Sequence, residues 1–286
     1  MEQVLLTLGH GYSAQALAAR LIPQGWQVIG TTRSAEKADR LRAQGVEPLI
    51  WPGADLAPAV ARASHILASI APDAAGDPVL AAHADLFAAA RPLWAGYLST
   101  TGVYGDHAGG WVDEDTPLTP GTQRGRQRVA AEAQWQALGL PLHIFRLAGI
   151  YGPGRGPFRK VLDGTAQRII KEGQFFSRIH VDDIAGVLQA SITRPDPGAI
   201  YNVCDDDPCP PADVLAHAAE LLGLPLPPAV PIEDAEMTPM ARSFYAESKR
   251  VGNDRMKMDL GVTLQYPTYR EGLAALLAAT KSSGRG

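Results

Sequence analysis

A chain of 286 residues is long enough for one large α/β unit with an appended part. Its composition, 46% apolar and 20% charged, supports a buried core and excludes wholesale disorder. A net charge of −4 argues against a nucleic-acid surface, so we expect a small-molecule partner. Two cysteines cannot form a disulfide scaffold, and neither a basic leader nor a long apolar run is present. We therefore expect a cytoplasmic protein that binds neither nucleic acid nor membrane.

The first half of the sequence alternates short Val/Ile/Leu-rich runs with Ala/Leu stretches at helical spacing. This alternation is typical of a doubly wound parallel sheet covered by helices on both faces, the Rossmann type of α/β fold. The predicted strands are Val4–Leu8, Trp26–Thr31, Val46–Trp51, His65–Ile70, Leu93–Ser99, Leu142–Leu147 and Ala199–Val203. The predicted helices between them include Ala35–Ala43, Val79–Ala90 and Gln127–Leu138.

A Gly/Pro-rich run, Tyr151–Pro157, interrupts this alternation and marks a boundary. Beyond it the sequence predicts helices at Val214–Leu222 and Tyr269–Thr280. We assign residues 1–155 and 178–203 to a nucleotide-binding Rossmann domain. Residues 156–177 and 204–286 then form a small C-terminal part on the substrate side.

A glycine loop follows the first predicted strand. Gly9, Gly11 and Ala14 match the pattern G-x-G-x-x-G/A, in which the glycines allow a tight turn and a close approach to a pyrophosphate. Tyr12 and Ser13 complete the loop and begin the helix, whose amides face the anion. A tight turn without a ligand is the alternative. A nucleophile elbow at Gly11–Gln15 is disfavoured, because Gln15 replaces the closing glycine.

The second predicted strand ends at Thr31-Thr32-Arg33, where an NAD-binding protein carries a carboxylate for the ribose 2′-hydroxyl. An arginine at this position favours a 2′-phosphate instead. We therefore predict NADP as the cofactor, with NAD possible. An arginine on a solvated helix start is the other interpretation of Arg33.

Three further motifs carry a family resemblance. They are Leu98–Gly105 (LSTTGVYG), Arg146–Gly154 (RLAGIYGPG) and Ile179–Ala185 (IHVDDIA). With the glycine loop, they make the chain similar to the extended short-chain dehydrogenase/reductase superfamily, and more narrowly to an atypical NAD-dependent epimerase/dehydratase. The resemblance implies a seven-stranded Rossmann sheet with NAD(P) across the strand ends. It also implies that Asp55-Leu56 lies near the adenine and that Ser69-Ile70-Ala71 and Ser99 line the cofactor.

The chain departs from that family at the catalytic position. The resemblance places Thr100 in the Ser/Thr position that orients the reacting group. The family motif Tyr-x-x-x-Lys is replaced by Arg124-Gly-Arg126-Gln-Arg128. A guanidinium cannot act as a general acid or base near neutral pH. Arg128 can still donate to ribose hydroxyls, and Arg124 or Arg126 can hold a phosphate or carboxylate.

Three residues are candidates to replace the family tyrosine as the proton donor. Tyr104 and Tyr151 follow strands on the side where such sheets bind ligands, and His180 titrates near neutral pH. We take Tyr104 as the acid/base candidate, although a packing role with a hydrogen-bonded hydroxyl is the alternative for both tyrosines. Arg178 matches the position where family members hold a substrate phosphate, and an ordinary surface arginine is equally compatible with its sequence.

No metal site is predicted, since Cys204-Asp-Asp-Asp-Pro-Cys209 fits no common zinc spacing and reads as a polar turn. The sequence thus indicates an NAD(P)-binding oxidoreductase or epimerase/dehydratase-like enzyme that acts by hydride exchange on a polar small molecule such as a sugar derivative. The alternative is a catalytically silent NADP-binding sensor or scaffold. A homodimer is compatible with the family resemblance.

Overall fold

The computed structural model describes residues 2–283, with side chains for all of these except Met240, Ser282 and Ser283. The strands are, in chain order, β1 (Val4–Leu8), β2 (Gln27–Thr32), β3 (Glu47–Ile50), β4 (His65–Ala68), β5 (Trp94–Thr100), β6 (Trp111–Val112), β7 (Leu142–Leu147), β8 (Gly149–Tyr151), β9 (Arg168–Ile170), β10 (Arg178–His180), β11 (Ile200–Val203), β12 (Ala229–Pro231) and β13 (Arg250–Val251).

The α-helices alternate with the strands in the first part of the chain and dominate the last part. They are α1 (Tyr12–Leu21), α2 (Ala35–Ala43), α3 (Ala57–Arg62), α4 (Pro78–Ala89), α5 (Gln123–Gln136), α6 (Phe158–Leu162), α7 (Val181–Thr193), α8 (Pro211–Leu222), α9 (Pro239–Phe244), α10 (Asp254–Leu260) and α11 (Tyr269–Ser283).

Seven strands form one parallel sheet in the order β11-β7-β5-β4-β1-β2-β3. The chain runs outward from β1 to β3 and then returns to β4 on the other side of β1. This reversal makes the β1/β4 junction a switch point, where open α/β sheets bind ligands outside the carboxyl ends of the strands. The predicted Rossmann-type fold is therefore confirmed.

Alternating side chains of the sheet supply two cores, one on each face. On one face, Leu5, Leu67 and Phe145 pack with α1 and α7. On the other face, Leu6 and Ile66 pack with residues of α4 and α5. Because both faces are covered, the strands read as continuous apolar runs in the sequence.

A third apolar cluster lies outside the sheet. It joins Tyr151 to Ala218 and Ala219 of α8 and to Tyr269 and Leu273 of α11. Two-stranded parallel pairs, β8 with β10 and β9 with β12, connect this part to the sheet region. This C-terminal assembly lies beside the strand ends and supplies one wall of the cavity described below.

Helix α5 begins at Gln123, four positions before the predicted start at Gln127. The hydroxyl of Thr122 accepts a hydrogen bond from the amide of Gly125 at 3.1 Å and caps the helix. The earlier start puts Arg124 and Arg128 on the same helix, one turn apart. Within residues 2–283, no helix is long and apolar enough to cross a bilayer.

Candidate cofactor and substrate site

A cavity of about 1220 Å³ lies at the carboxyl ends of β1, β4, β5 and β7. Its lining comes from the glycine loop, the ends of these strands, the start of α5 and segments of the C-terminal part. Nearly every residue that the sequence singled out for cofactor or substrate binding reaches this cavity, with the exceptions described below.

The glycine loop forms the floor of one end. Gly9 adopts φ +88°, and a Cβ atom there would lie 2.7 Å from Cγ1 of Ile70. The amide of Gly9 donates to Oγ1 of Thr31 at 2.6 Å, so β1 and β2 hold the loop together. Gly11 caps α1 without a side-chain hydrogen bond, and a Cβ atom there would meet nothing closer than 3.9 Å. The position of Gly11 is thus open toward the cavity.

His10 lies inside the same loop. Its Nδ1 atom is 2.7 Å from the hydroxyl of Thr7, and its buried Nε2 atom has no partner among the described residues. Burial lowers the pKa of His10 to about 4, so the ring is neutral at physiological pH. His10 therefore adds no charge to the glycine loop.

Two cations border the cavity at the end of β2. Arg33 is exposed, and Lys37 lies on the first turn of α2. Within the described residues neither side chain forms an ion pair, whereas Glu36 and Asp39 are paired with Arg40 and Arg42. The hydroxyl of Thr32 is buried beside them without a partner. Arg33 was predicted from the sequence, and Lys37 was not.

Asp55 and Leu56, which the family resemblance places near the adenine, are not part of the cavity lining. The side chain of Leu56 is 0% exposed in the core, and the carboxylate of Asp55 accepts a hydrogen bond from the amide of Ala57 at 2.9 Å. Trp51 and Pro52, just beyond β3, line the cavity instead. The place near the adenine that the resemblance implies for Asp55 and Leu56 therefore stays a prediction.

Ser69, Ile70 and Ala71 follow β4 and line the cavity, and the contact with a cofactor that the resemblance implies for them stays a prediction. The hydroxyl of Ser69 donates to the carbonyl of Gly9. This bond joins the ends of β1 and β4 across the switch point. Ala14, the last position of the glycine motif, is buried under the loop and packs α1 against the sheet.

Thr100 ends β5 and faces the cavity. Its Oγ1 atom accepts a hydrogen bond from the amide of Gly102 at 3.2 Å, and among the described residues its own proton has no acceptor. The start of α5 packs closely on this turn, since a Cβ atom at Gly125 would lie 2.8 Å from the carbonyl oxygen of Gly102. The packing brings Thr100 and the first turn of α5 to the same part of the cavity.

Arg124 and Arg128 differ in how they are held. Arg124 is exposed to the cavity, with Cζ 5.5 Å from the ring centre of Phe244. Arg128 is half-buried, and its Nη1 atom donates to the carbonyl of Leu98 at 2.6 Å and to the hydroxyl of Tyr97 at 3.2 Å. Arg128 is therefore fixed against β5, whereas Arg124 is free to meet a ligand.

Tyr104 cannot reach a substrate in this geometry. It is 0% exposed and absent from the cavity lining. Its hydroxyl donates to Oδ1 of Asn202 at 2.7 Å and accepts from Nη1 of Arg146 at 3.0 Å. Burial raises the pKa of Tyr104 to about 12. The assignment of Tyr104 as acid/base is thus wrong for this structure.

Ser99 connects the cavity to a buried ion pair. Its hydroxyl donates to the carboxylate of Glu132, which forms a 2.9 Å pair with Arg146. Both charged side chains are only 4% exposed. Ser99 reaches the cavity lining, but its hydroxyl is directed into this network.

The other proposed proton donors are also engaged elsewhere. The hydroxyl of Tyr151 points to the carbonyl of Thr268 at 3.4 Å, and burial raises its pKa. His180 caps α7 through Nδ1, which accepts from the amide of Asp182 at 3.2 Å. Asp183 accepts from the amides of Gln265 and Tyr266 and so anchors the C-terminal part.

A contact missed in the sequence closes one side of the cavity. The hydroxyl of Tyr12 donates to the carbonyl of Pro153 at 2.9 Å. Arg155, in the same Gly/Pro-rich segment, lies with Cζ 5.9 Å from the ring centre of Tyr12. The spacing of Gly and Pro marked this segment only as irregular, and the sequence held no signal that it meets the glycine loop.

Arg178 lines the far side of the cavity. Its Nη1 atom donates to the carbonyls of Phe176 and Cys209 at 2.9 and 3.3 Å. Both cysteines are buried: the thiol of Cys204 donates to the carbonyl of Val251, and the sulfur of Cys209 accepts from Nη1 of Arg178 at 3.2 Å. Among the described residues no group of three or more His, Cys, Asp or Glu side chains could hold a metal ion.

The charged lining of the cavity is mostly cationic. Its carboxylates are Asp73 and Glu247, and Glu247 is paired with Lys249 at 3.0 Å. The cationic members are Arg33, Lys37, Arg124, Arg128, Arg155, Arg178 and Lys249. The whole chain carries a net charge of −4, so the strand ends are a local concentration of positive charge on an acidic protein.

Several known proteins are similar to this chain over more than half of its length. Protein YeeZ of Escherichia coli K12 is 30% identical over 284 residues, covering 93% of this chain and 97% of that protein. A 3-diazoavenalumate denitrifying reductase of Streptomyces is 32% identical over 181 residues, covering 57% of this chain and 58% of that protein. The solved structure of a functionally unknown conserved protein from Silicibacter pomeroyi is 61% identical with a TM-score of 0.93, covering 98% and 99% of the two chains.

The family comparison agrees with the motifs and with the sheet. A model described as the NAD dependent epimerase/dehydratase family matches residues 4–204. This match spans the glycine loop, all seven strands of the central sheet and the start of α5. The chain therefore belongs to the NAD-dependent epimerase/dehydratase family.

Proposed function

We propose that this protein is an NADP-dependent reductase of a small anionic molecule. The observation that carries the proposal is the cationic lining of a single cavity at the switch point of the sheet. A dinucleotide carries its charge on phosphates, and a polar substrate of the same sign would use the remaining cations. Family membership supports a nicotinamide cofactor and an oxidoreductase-type activity in general.

The residues present fit a dinucleotide. The open space above Gly11 accepts the close approach of a pyrophosphate to the first turn of α1, whose amides point outward. Arg128 is positioned beside the end of β5 to donate to a ribose hydroxyl. When bound, a reduced nicotinamide supplies a hydride, and the protein supplies position and electrostatics. Trp51 and Pro52 are proposed as neighbours of the adenine.

Charge at the end of β2 supports NADP over NAD. Arg33 and Lys37 border the cavity without ion pairs among the described residues, and the nearby carboxylates Glu36 and Asp39 are paired with Arg40 and Arg42. Each charge-assisted bond to a 2′-phosphate contributes about 1.5–3 kcal/mol. One such bond corresponds to a preference of at least about tenfold.

The side chain at position 124 supports reduction over alcohol oxidation. Oxidation of a hydroxyl needs a base to remove its proton, and a guanidinium stays protonated in proteins. In reduction, a hydride adds to the acceptor, Arg124 and the hydroxyl of Thr100 can stabilise the developing negative charge, and the resulting anion takes its proton from solvent water. The Streptomyces relative is named as a reductase, in agreement with this direction.

Turnover of NADPH tests the proposal. Purified protein is incubated with NADPH and a panel of unsaturated and carbonyl carboxylates, and absorbance of the reduced nicotinamide is followed. We expect oxidation with at least one panel member, and a loss of about tenfold or more in Thr100→Val. Tight NADPH binding without turnover on any acceptor would favour the sensor function instead.

Cofactor choice is tested separately by thermal unfolding. A ligand that binds only the folded state raises Tm, so NADPH should raise it more than NADH at equal concentration. Arg33→Asp should reverse this order. Arg40→Asp is the matched control, because Arg40 lies on α2 outside the cavity lining. An unchanged order in Arg33→Asp would remove Arg33 from the proposal.

A further inference from the structure

We infer that the substrate half of the cavity is a carboxylate site, built to hold a small planar carboxylate against Arg124 beside Thr100. This inference rests on the proposed function and narrows it to one substrate class. Arg124 stands where the family carries a tyrosine, and four features of the cavity around it support a carboxylate ligand.

The first feature is that Arg124 has no polar partner within the described part of the chain. Its contact is with the ring of Phe244, which leaves its N–H groups available. Other arginines of the region are committed: Arg126 donates to the carbonyl of Gly121 at 3.0 Å, and Arg128 is bound to Leu98. A guanidinium offers a fork of donors that matches a carboxylate bidentately.

The second feature is position. The close packing of Gly125 on Gly102 holds the first turn of α5 against the end of β5, where Thr100 lies. An anion bound by Arg124 therefore sits next to the reacting position rather than at a remote end of the cavity. A group this close to the reacting atoms must be small, and a carboxylate attached directly to the unsaturated part of the substrate meets that requirement.

The third feature is the aromatic character of the wall. Phe175, Phe176 and Phe244 line this half of the cavity, and Phe244 is 53% exposed. Arg250 fixes the ring of Phe175, with Cζ 3.5 Å from its centre, and Phe176 packs on Tyr245 at 5.7 Å. Aromatic faces favour flat, conjugated ligands over puckered, hydroxyl-rich rings. The wall thus favours an unsaturated or aromatic acid over a sugar.

The fourth feature is the balance of charge. Lys249 is neutralised by Glu247, and Arg178 is bound through one nitrogen to two carbonyls. In the described lining, Arg33, Lys37, Arg124 and Arg155 have neither an ion pair nor a side-chain hydrogen bond. Arg33 and Lys37 lie at the end of β2 and Arg155 stacks on Tyr12, so Arg124 is the one on the helix turn packed beside Thr100. One unpaired cation next to the reacting position suits one negative charge, which fits a monocarboxylate.

Calorimetry tests the inference on the full-length protein saturated with NADP⁺. The probe is cinnamate, with cinnamamide as its neutral counterpart and phenyl phosphate as the alternative anion. We expect cinnamate to bind at least tenfold more tightly than cinnamamide. Arg124→Gln should weaken cinnamate at least tenfold, and Arg124→Lys should give an intermediate loss, because an ammonium cannot form the bidentate pair.

Two controls separate this inference from the proposed function. Arg126→Gln, a change on the same helix turn but outside the cavity lining, should leave cinnamate binding unchanged. NADP⁺ affinity is measured first, and it should change less than threefold in Arg124→Gln. Failure of NADP⁺ to bind the unmodified protein would refute the proposed function itself. If NADP⁺ binds but cinnamate binds no better than cinnamamide, or phenyl phosphate binds tenfold better than cinnamate, the carboxylate site is refuted alone.

Discussion

The carbonyl oxygen of Leu98 accepts a 2.6 Å hydrogen bond from Nη1 of Arg128, which fixes the cationic face of α5 to the end of β5. Arg128→Gln removes the charge and this bond. Loss of one charge-assisted bond worth about 1.5–3 kcal/mol should raise the Kd for NADPH about tenfold or more. Arg128→Lys keeps the charge and should cost much less. Calorimetric titration measures both, and an unaltered Kd in Arg128→Gln would show that Arg128 serves only to anchor the helix.

The two glycines of the loop should respond differently to alanine. Gly9 has φ +88° and a Cβ there would lie 2.7 Å from Ile70, so Gly9→Ala strains the fold itself. We expect its free energy of unfolding to fall by about 1–3 kcal/mol. Urea denaturation measures this loss.

Gly11→Ala should spare the fold, since its Cβ would meet nothing within 3.9 Å. The added methyl group occupies the space where a pyrophosphate would approach the backbone. We therefore expect unfolding close to that of the unmodified protein, with NADPH affinity lowered at least about tenfold. Full retention of NADPH affinity in Gly11→Ala would contradict the assignment of the loop to a diphosphate.

The buried pair of Glu132 and Arg146 makes a stability prediction independent of any ligand. Both side chains are 4% exposed, and Glu132 also accepts from Ser99. Glu132→Met leaves the Arg146 charge buried without its partner, which should cost about 3–5 kcal/mol. The double variant Glu132→Met with Arg146→Met should cost less than the sum of the two single changes. Urea denaturation of the four proteins completes the cycle, and additive losses would contradict a coupled pair.

Local pattern in the sequence was sufficient for the sheet and for the glycine loop. The apolar runs and the spacing of Gly9, Gly11 and Ala14 are set by neighbours in the chain, so the alternation of strands and helices followed from them. The order of the strands in the sheet, which creates the switch point, depends on long-range pairing and was not predicted. Arg33 was singled out as a candidate because it follows a predicted strand in the sequence.

Local sequence pattern could not predict the direction of a side chain or its partners far along the chain. The hydroxyl of Tyr104 points into the core because it donates a hydrogen bond to Asn202, which is 98 residues away in the sequence. Trp51, directly after β3, lines the cavity, and local sequence pattern did not single it out. Phe244 comes from a Pro-rich segment without periodicity, so nothing in its sequence signalled a contact with Arg124.

A carboxyl group near Arg178 gives stability a predictable dependence on pH. Asp205 is 1% exposed, its Oδ1 atom accepts from the amide of Asp207 at 3.3 Å, and its Oδ2 atom has no partner among the described residues. Burial raises the pKa of Asp205 to about 8, although Arg178 acts in the opposite direction. An unfolded chain releases this proton near pH 4.

Between about pH 4 and pH 8 the folded protein therefore holds a proton that the unfolded chain has lost. The stability contributed by this proton is complete below the unfolded pKa and is lost as pH rises through the folded value. The free energy of unfolding should thus fall with pH relative to Asp205→Asn, by at most about 1.4 kcal/mol per pH unit. Urea denaturation at pH 5, 6.5 and 8 measures the difference, with Asp85→Asn, an exposed carboxylate on α4, as the control. Parallel pH curves for the unmodified protein and Asp205→Asn would mean that Asp205 is ionised throughout this range in the folded state.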